Sequence, residues 1–243
     1  MGQALAEGLN AAGFSVVALV DVSVPRDLYG AIFATSLDDV PAGEIDVVVD
    51  FSTPDGAVAS ATWCSANGAG LVIGTTGLDE VQRGLIASAA STTGVIMASN
   101  FSIGAVLAER FAAMAAPYFE RVEIIELHHE KKVDAPSGTS LTTAKMIGEA
   151  RAKAGLGPLV DPTARHTVAG ARGADTGDGI KIHSVRLPGL VAHQEILFGG
   201  PGEGLTIRHD SFDRQSFVQG VALAVRAVSS TTGLTMGIDS FID

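Results

Sequence analysis

Four short apolar runs punctuate the first hundred residues: Phe14 to Val20, Asp46 to Phe51, Gly70 to Ile73 and Gly94 to Ala98. Each is rich in β-branched residues, nearly unbroken, and followed by small or polar ones. Strands of a parallel sheet covered on both faces have this pattern, because neither face meets water. Helix-length segments such as Gly56 to Asn67 and Asp79 to Ser88 lie between the runs. The alternation predicts a doubly wound α/β unit that binds ligands at the carboxyl ends of its strands.

After Phe101 the pattern changes. A helical segment from Ile103 to Ala115 precedes a strand ending at His128, and a second helix spans Ser137 to Ala154. The Gly/Pro-containing stretch from Gly155 to Gly179 is long for a structureless loop and reads as functional or as an interface. Strand-like runs follow at Ile180 to Leu187, Val191 to Phe198 and Leu205 to His209. The turn Gly199-Gly200-Pro201-Gly202 separates the last two and suggests an antiparallel meander. Ser216 to Val228 is helical again. The expected organisation is a dinucleotide-binding unit of residues 1–101 and 210–243, with an α+β unit of residues 102–209 built on a mixed or antiparallel sheet.

A dinucleotide fold should open with a strand and a Gly-rich turn leading into its first helix. Here Met1-Gly2-Gln3-Ala4-Leu5-Ala6-Glu7-Gly8-Leu9 already reads as that helix. The first, central strand and nearly all of the phosphate loop, roughly ten residues, are expected to be missing. The predicted strands end at Asp21, at Phe51-Ser52-Thr53, at Gly74-Thr75-Thr76-Gly77 and at Ser99-Asn100-Phe101. Small residues let a ligand approach the backbone, and hydroxyls offer hydrogen bonds. An acid ending the second strand, here Asp21, accepts from ribose hydroxyls in such folds.

Apolar residues make up 47% of the 243, enough for a substantial core and too many for a disordered chain. The net charge of −11 argues against nucleic acid or an anionic membrane as partner. No apolar run reaches the roughly 18 residues of a membrane span. The single cysteine, Cys64, allows no intrachain disulfide and fits a reducing cytoplasm. Beside Trp63 in a helical stretch, it reads as packed rather than reactive.

An anionic substrate of so acidic a chain needs a local basic cluster, and residues 128–132 supply one. The segment Glu123-Ile-Ile-Glu-Leu-His-His-Glu-Lys-Lys-Val-Asp-Ala-Pro-Ser-Gly-Thr139 carries two histidines out on an apolar strand, then lysines, then a turn opening a helix. Unpaired cations do not sit in cores, and the amides of Ser137, Gly138 and Thr139 at a helix start suit an anion. Two readings stand side by side: solvated turn residues before an ordinary N-cap, or an anion pocket with proton-transfer groups beside it. A metal site is disfavoured, because adjacent strand residues such as His128 and His129 point to opposite faces.

The segment 123–139 resembles the motif of the 4-hydroxy-tetrahydrodipicolinate (dihydrodipicolinate) reductase family, with Ser140 after it replacing the usual alanine. Gly74-Thr75-Thr76-Gly77 and Ala98-Ser99-Asn100-Phe101 look like that family's two nicotinamide-side loops, and the resemblance runs through the whole chain. It implies a Rossmann domain and a smaller substrate domain whose sheet assembles a homotetramer, with NADH or NADPH as cofactor and no metal. It further implies His128 as catalytic proton donor or acceptor and Lys132 as second proton donor. His129, Ser137, Gly138, Thr139 and Arg214 would contact a small dicarboxylate substrate. Met1, Asp21, Gly74, Thr75, Thr76, Ala98, Ser99, Asn100 and Phe101 would contact the cofactor. The reading frame upstream of Met1 is expected to encode the missing strand and turn, and a chain extended by them to bind NADH more tightly.

Fully extended, His128 and Lys132 would stand about 13 Å apart, so for both to serve one ring the chain must turn at His129-Glu130-Lys131. The rival readings are another two-domain oxidoreductase and a non-catalytic binding module that keeps the anion pocket. A semialdehyde dehydrogenase would need a nucleophilic cysteine, and Cys64 is poorly placed for that.

Overall fold

In the computed structural model, which describes residues 1–242, the apolar runs become strands close to where the pattern places them. The elements run α1 (Gly2–Ala11), β1 (Ala18–Val20), β2 (Ile32–Ala34), β3 (Val47–Asp50), α2 (Pro54–Asn67), β4 (Gly70–Ile73), α3 (Glu80–Ala89) and β5 (Gly94–Met97). Next come α4 (Ile103–Ala115), β6 (Arg121–His128), α5 (Gly138–Lys153), β7 (Ala174–Asp175), β8 (Lys181–Arg186), β9 (Ala192–Gly200) and β10 (Glu203–Ser211). The last two are α6 (Val218–Val228) and β11 (Gly233–Met236). The chain divides into two units, one of Met1–Ile103 with the chain from Arg214 onward, the other Gly104–Asp213.

All strands of the first unit pair in parallel, as two sheets: β1 with β2, and β11–β5–β4–β3. Among the described residues no strand lies between β1 and β3. An open cavity of about 1630 Å³ runs there, lined by Leu5, Leu19, Val48, Phe51 and Trp63 among others. The strand order is that of a doubly wound sheet. β2 and β11 escaped the pattern, one because it has three residues, the other because Thr235 interrupts its apolar run.

Leu71 and Ile73 of β4, with Val95 and Met97 of β5, pack on Ala57, Ala61 and Cys64 of α2 and on Ile86 of α3. Val72 and Ile96 point the other way and are equally buried, on the side where α6 packs. Each such aliphatic side chain contributes about 1.5–3 kcal/mol on burial. Burial, with the Asp50 charge second, pushes the Cys64 thiol up to about 12, so it stays protonated and unreactive. α2 starts directly beyond β3 because Thr53 caps it, accepting from Gly56 N at 3.2 Å, with Pro54 at the first helical position.

The sheet of the second unit is mixed, in the order β10–β9–β6–β8–β7. β9 and β10 form the expected antiparallel hairpin. The three-strand meander does not form, because β6 pairs with both β8, in parallel, and β9, antiparallel. β6 takes the centre because its alternate residues Val122, Ile124 and Glu126 are all buried. One face, with Val122, Ile124, Ile182, Ile196 and Phe198, packs on Ala112 of α4 and on Ala144 and Ile147 of α5. The stretch 155–179 carries β7 and is held by ion pairs: Arg172 with Glu123 and with Asp161 (3.5 Å), and Lys181 with Asp161 (3.6 Å).

Candidate active site

The carboxyl ends of the first unit's parallel strands gather the predicted loop residues. Asp21 follows β1 directly and is exposed, its Oδ1 accepting from Ser23 N at 3.1 Å. Thr75 is buried; its Oγ1 donates to Asp50 Oδ1 at 2.6 Å and accepts from Ser52 N at 2.8 Å. Asp50 Oδ2 accepts from Ser60 Oγ at 2.7 Å, so one buried carboxylate ties the loops after β3 and β4 to α2. Gly74 has no room for a side chain, since a Cβ would lie 2.2 Å from the Phe51 ring. Phe51 in turn packs on the buried Phe101 ring, 5.5 Å between centroids. Ala98 N donates to Ile73 O at 3.0 Å, and Asn100 Oδ1 accepts from Ser102 N at 2.9 Å. Thr76 and Ser99 are exposed at the same sheet edge. An exposed carboxylate for a ribose diol, a glycine too crowded for any substitute and free-facing hydroxyls fit a nicotinamide dinucleotide. Met1 and Arg214 belong to this unit too. Burial lowers the Met1 amino pKa, and the Arg214 charge lowers it further.

The second unit holds the acid–base candidates. The two-residue period of β6 puts Val122, Ile124, Glu126 and His128 on one face. Across the ladders, Glu126 faces Ser184 and Gln194, and His128 faces Arg186 and Ala192. The apolar face therefore turns polar two residues before the strand ends. Glu126 is wholly buried and paired to Arg186 through two hydrogen bonds of 2.8 Å. It also accepts a short hydrogen bond from His128 Nδ1. A carboxylate only accepts, so the ring carries its proton on Nδ1 and presents Nε2. Burial lowers the His128 pKa; Glu126 opposes this, while Lys132 and Arg186 add to it. Burial alone would raise the Glu126 carboxyl, but Arg186, Ser184 and His128 outweigh it and hold it below its ordinary value.

Beyond His128 the chain makes the required turn, with Lys132 N donating to His129 O at 3.1 Å. His129 is exposed. Lys132 Nζ donates to Asp134 Oδ1 at 2.8 Å, and Arg186 Nη2 to Asp134 O at 2.7 Å. α5 then begins at Ser137, whose Oγ accepts from Ser140 N at 3.2 Å and shares a 2.6 Å hydrogen bond with Ser140 Oγ. Gly138 and Thr139 occupy the first helical positions, Gly138 with open space around its Cα. His128, His129, Lys132, Ser137, Gly138 and Thr139 are thus gathered in one unit, and Arg214 lies in the other. Glu126, Arg186 and Asp50 were missed. The signal for Glu126 was an acid at an inward-facing position of an apolar strand, two residues before the histidine. No local signal marks Arg186.

Comparison with known proteins agrees with this layout. Residues 1–101 match the family described as dihydrodipicolinate reductase, N-terminus, and residues 104–242 the family described as dihydrodipicolinate reductase, C-terminus. The 4-hydroxy-tetrahydrodipicolinate reductase of Nocardia farcinica is 55% identical over 203 residues, 82% of this chain and 80% of that protein. That of Beutenbergia cavernae is 46% identical over 249 aligned positions, covering 100% and 94%. A dipicolinate-bound dihydrodipicolinate reductase from Paenisporosarcina sp. TG-14 superimposes with a TM-score of 0.85 at 40% identity, covering 98% of this chain and 94% of that one. With both halves matched and relatives this similar over most of their length, the chain belongs to the dihydrodipicolinate reductase family, oxidoreductases with an N-terminal nucleotide-binding domain.

Proposed function

We propose that the chain reduces 4-hydroxy-tetrahydrodipicolinate to tetrahydrodipicolinate in lysine and diaminopimelate biosynthesis, with NADH or NADPH, and that His128 and Lys132 handle the protons. The observation that carries these roles is the Glu126-oriented His128, with Lys132 across one turn and the start of α5 after it. The nicotinamide, when bound, supplies a hydride. The chain's residues do the rest. Lys132 and the amides at Gly138 and Thr139 offset the charge of a dicarboxylate in an otherwise acidic protein. His128 exchanges a proton through Nε2; with its pKa held below the ordinary value the ring rests neutral near neutrality, so Nε2 is open to take a proton and passes it on readily. Lys132 meets Asp134 near the surface, an interaction worth about 0–1 kcal/mol, so transfer of Lys132 to a substrate costs little.

For the cofactor, Asp21 accepts from a ribose diol and repels a 2′-phosphate. Val22-Ser23-Val24-Pro25 separate it from Arg26, the next cation. We therefore expect NADH to be preferred modestly, with NADPH accepted. Asp21→Ala should weaken NADH about 10-fold, the loss of a charge-assisted hydrogen bond of roughly 1.5 kcal/mol, and bring the two cofactors to parity. Steady-state kcat/KM for both nucleotides decides it, and a clear NADPH preference before mutation would refute the assignment.

We also infer a homotetramer assembled through the second unit. The sheet face carrying Ile125, Leu127 and Val185 lies opposite the one that α4 and α5 cover, and its apolar residues are incompletely buried. Light scattering should give a mass near four times 24.8 kDa; a monomeric mass at micromolar concentration would exclude it.

A further inference from the structure

We propose that Glu126 and Arg186 are positioning residues that hold the two proton-transfer groups in one frame. The ion pair fixes the His128 ring on one side and, through the Asp134 carbonyl, the turn bearing Lys132 on the other. The inference rests on the roles proposed above for His128 and Lys132.

The geometry is continuous. His128 Nδ1 donates to Glu126 Oε2; Arg186 bridges both Glu126 oxygens at 2.8 Å and donates to Asp134 O at 2.7 Å; the Asp134 carboxylate receives Lys132 Nζ at 2.8 Å. Residues 129–131 and 133–135 are exposed, so packing does little to define the turn, and the Arg186 contact ties it to the sheet. The pair also sits where the sheet face changes from apolar to polar, between Ile124 and His128 on β6. A buried ion pair is a poor stabiliser, since apolar replacements of similar volume are often as stable or more so. Stability is therefore a weak reason for placing one there. A planar fork that engages a carboxylate with two bonds and a carbonyl with a third is something lysine cannot reproduce. Arg186 comes from β8, 60 residues along the chain from Glu126.

The charged groups acting on His128 are Glu126 on its own strand, Lys132 in the turn and Arg186 on β8. Its neighbour on β9 is Ala192. In Glu126→Gln, Arg186 retains the side-chain oxygen and the amide NH₂ faces His128. The ring must then move its proton to Nε2, and it loses the charge that favoured imidazolium. Arg186→Lys leaves that charge but frees the turn.

The test measures kcat and KM against pH, nucleotide affinity and melting temperature for the wild type, Glu126→Gln, Arg186→Lys, His128→Ala and Lys132→Ala. We expect Glu126→Gln and Arg186→Lys to lower kcat about 10- to 100-fold, as misplacement of reacting groups does. Glu126→Gln should also move the His128-dependent limb of the profile to lower pH. Arg186→Lys should raise KM for the dicarboxylate, with nucleotide affinity unchanged in both. If His128→Ala and Lys132→Ala lose activity while Glu126→Gln and Arg186→Lys keep the wild-type kcat, KM and pH profile, the inference is wrong and the roles of His128 and Lys132 stand. If His128→Ala and Lys132→Ala keep near-normal turnover, those roles fail first and the inference with them. Should either single variant not fold, Glu126→Gln/Arg186→Met removes both charges at similar volume. Wild-type kcat and pH profile in that double variant would overturn the proposal, and loss of both with intact nucleotide affinity would support it.

Discussion

His128→Ala is expected to lower turnover by about 10²–10⁴-fold, the usual contribution of a positioned acid or base. Nucleotide binding should survive, because His128 belongs to the second unit and the cofactor loops to the first. Lys132→Ala should lose a similar factor in turnover and also bind the dicarboxylate more weakly, since it removes a counter-charge as well as a proton. The two variants thus separate: one chiefly in kcat, the other in kcat and KM together. Assays with saturating nucleotide and varied substrate make the comparison, and near-normal turnover in both would leave this pocket without its proposed chemistry.

Gly220→Ala should be a strongly damaging conservative change outside the site. Gly220 is buried in α6, and an added Cβ would meet the Phe101 carbonyl oxygen at 1.9 Å and its carbon at 2.8 Å, with Ile238 at 2.9 Å. Backbone cannot swing aside as a side-chain tip can, so either α6 or the loop at residues 98–101 must move. Overpacking of this kind costs about 3 kcal/mol, the upper end of the usual range. In a chain of this size that lowers the melting temperature by roughly 6–12 °C. The Phe101 loop carries the proposed cofactor contacts Ala98, Ser99 and Asn100, so NADH affinity should fall with stability. Calorimetry and nucleotide titration on the same preparation read both, and a melting temperature within a degree of the wild type would show that helix and loop are not in contact.

What the chain declares locally was legible before any coordinates. Gly70 to Ile73 is a strand at its predicted bounds, because four consecutive buried residues admit few other readings. The segment from His128 to Thr139 was readable because its chemistry is contiguous: a strand end, a turn forced by the reach of the chain, and an N-cap serine follow one another within a dozen residues. Periodicity of two even places Glu126 on the His128 face, although an acid in an apolar strand draws less notice than paired histidines. Partner choice was not legible. Hydrophobic period tells which face of a strand is buried but not which strand lies beside it. The insertion of β6 between β8 and β9, and with it the meeting of Glu126 and Arg186, was therefore decided by tertiary pairing. The same holds for Asp50, which reaches Thr75 and Ser60 only once β3, β4 and α2 have packed. A buried carboxylate needs donors from wherever the fold brings them, and those donors leave no mark on the sequence around it.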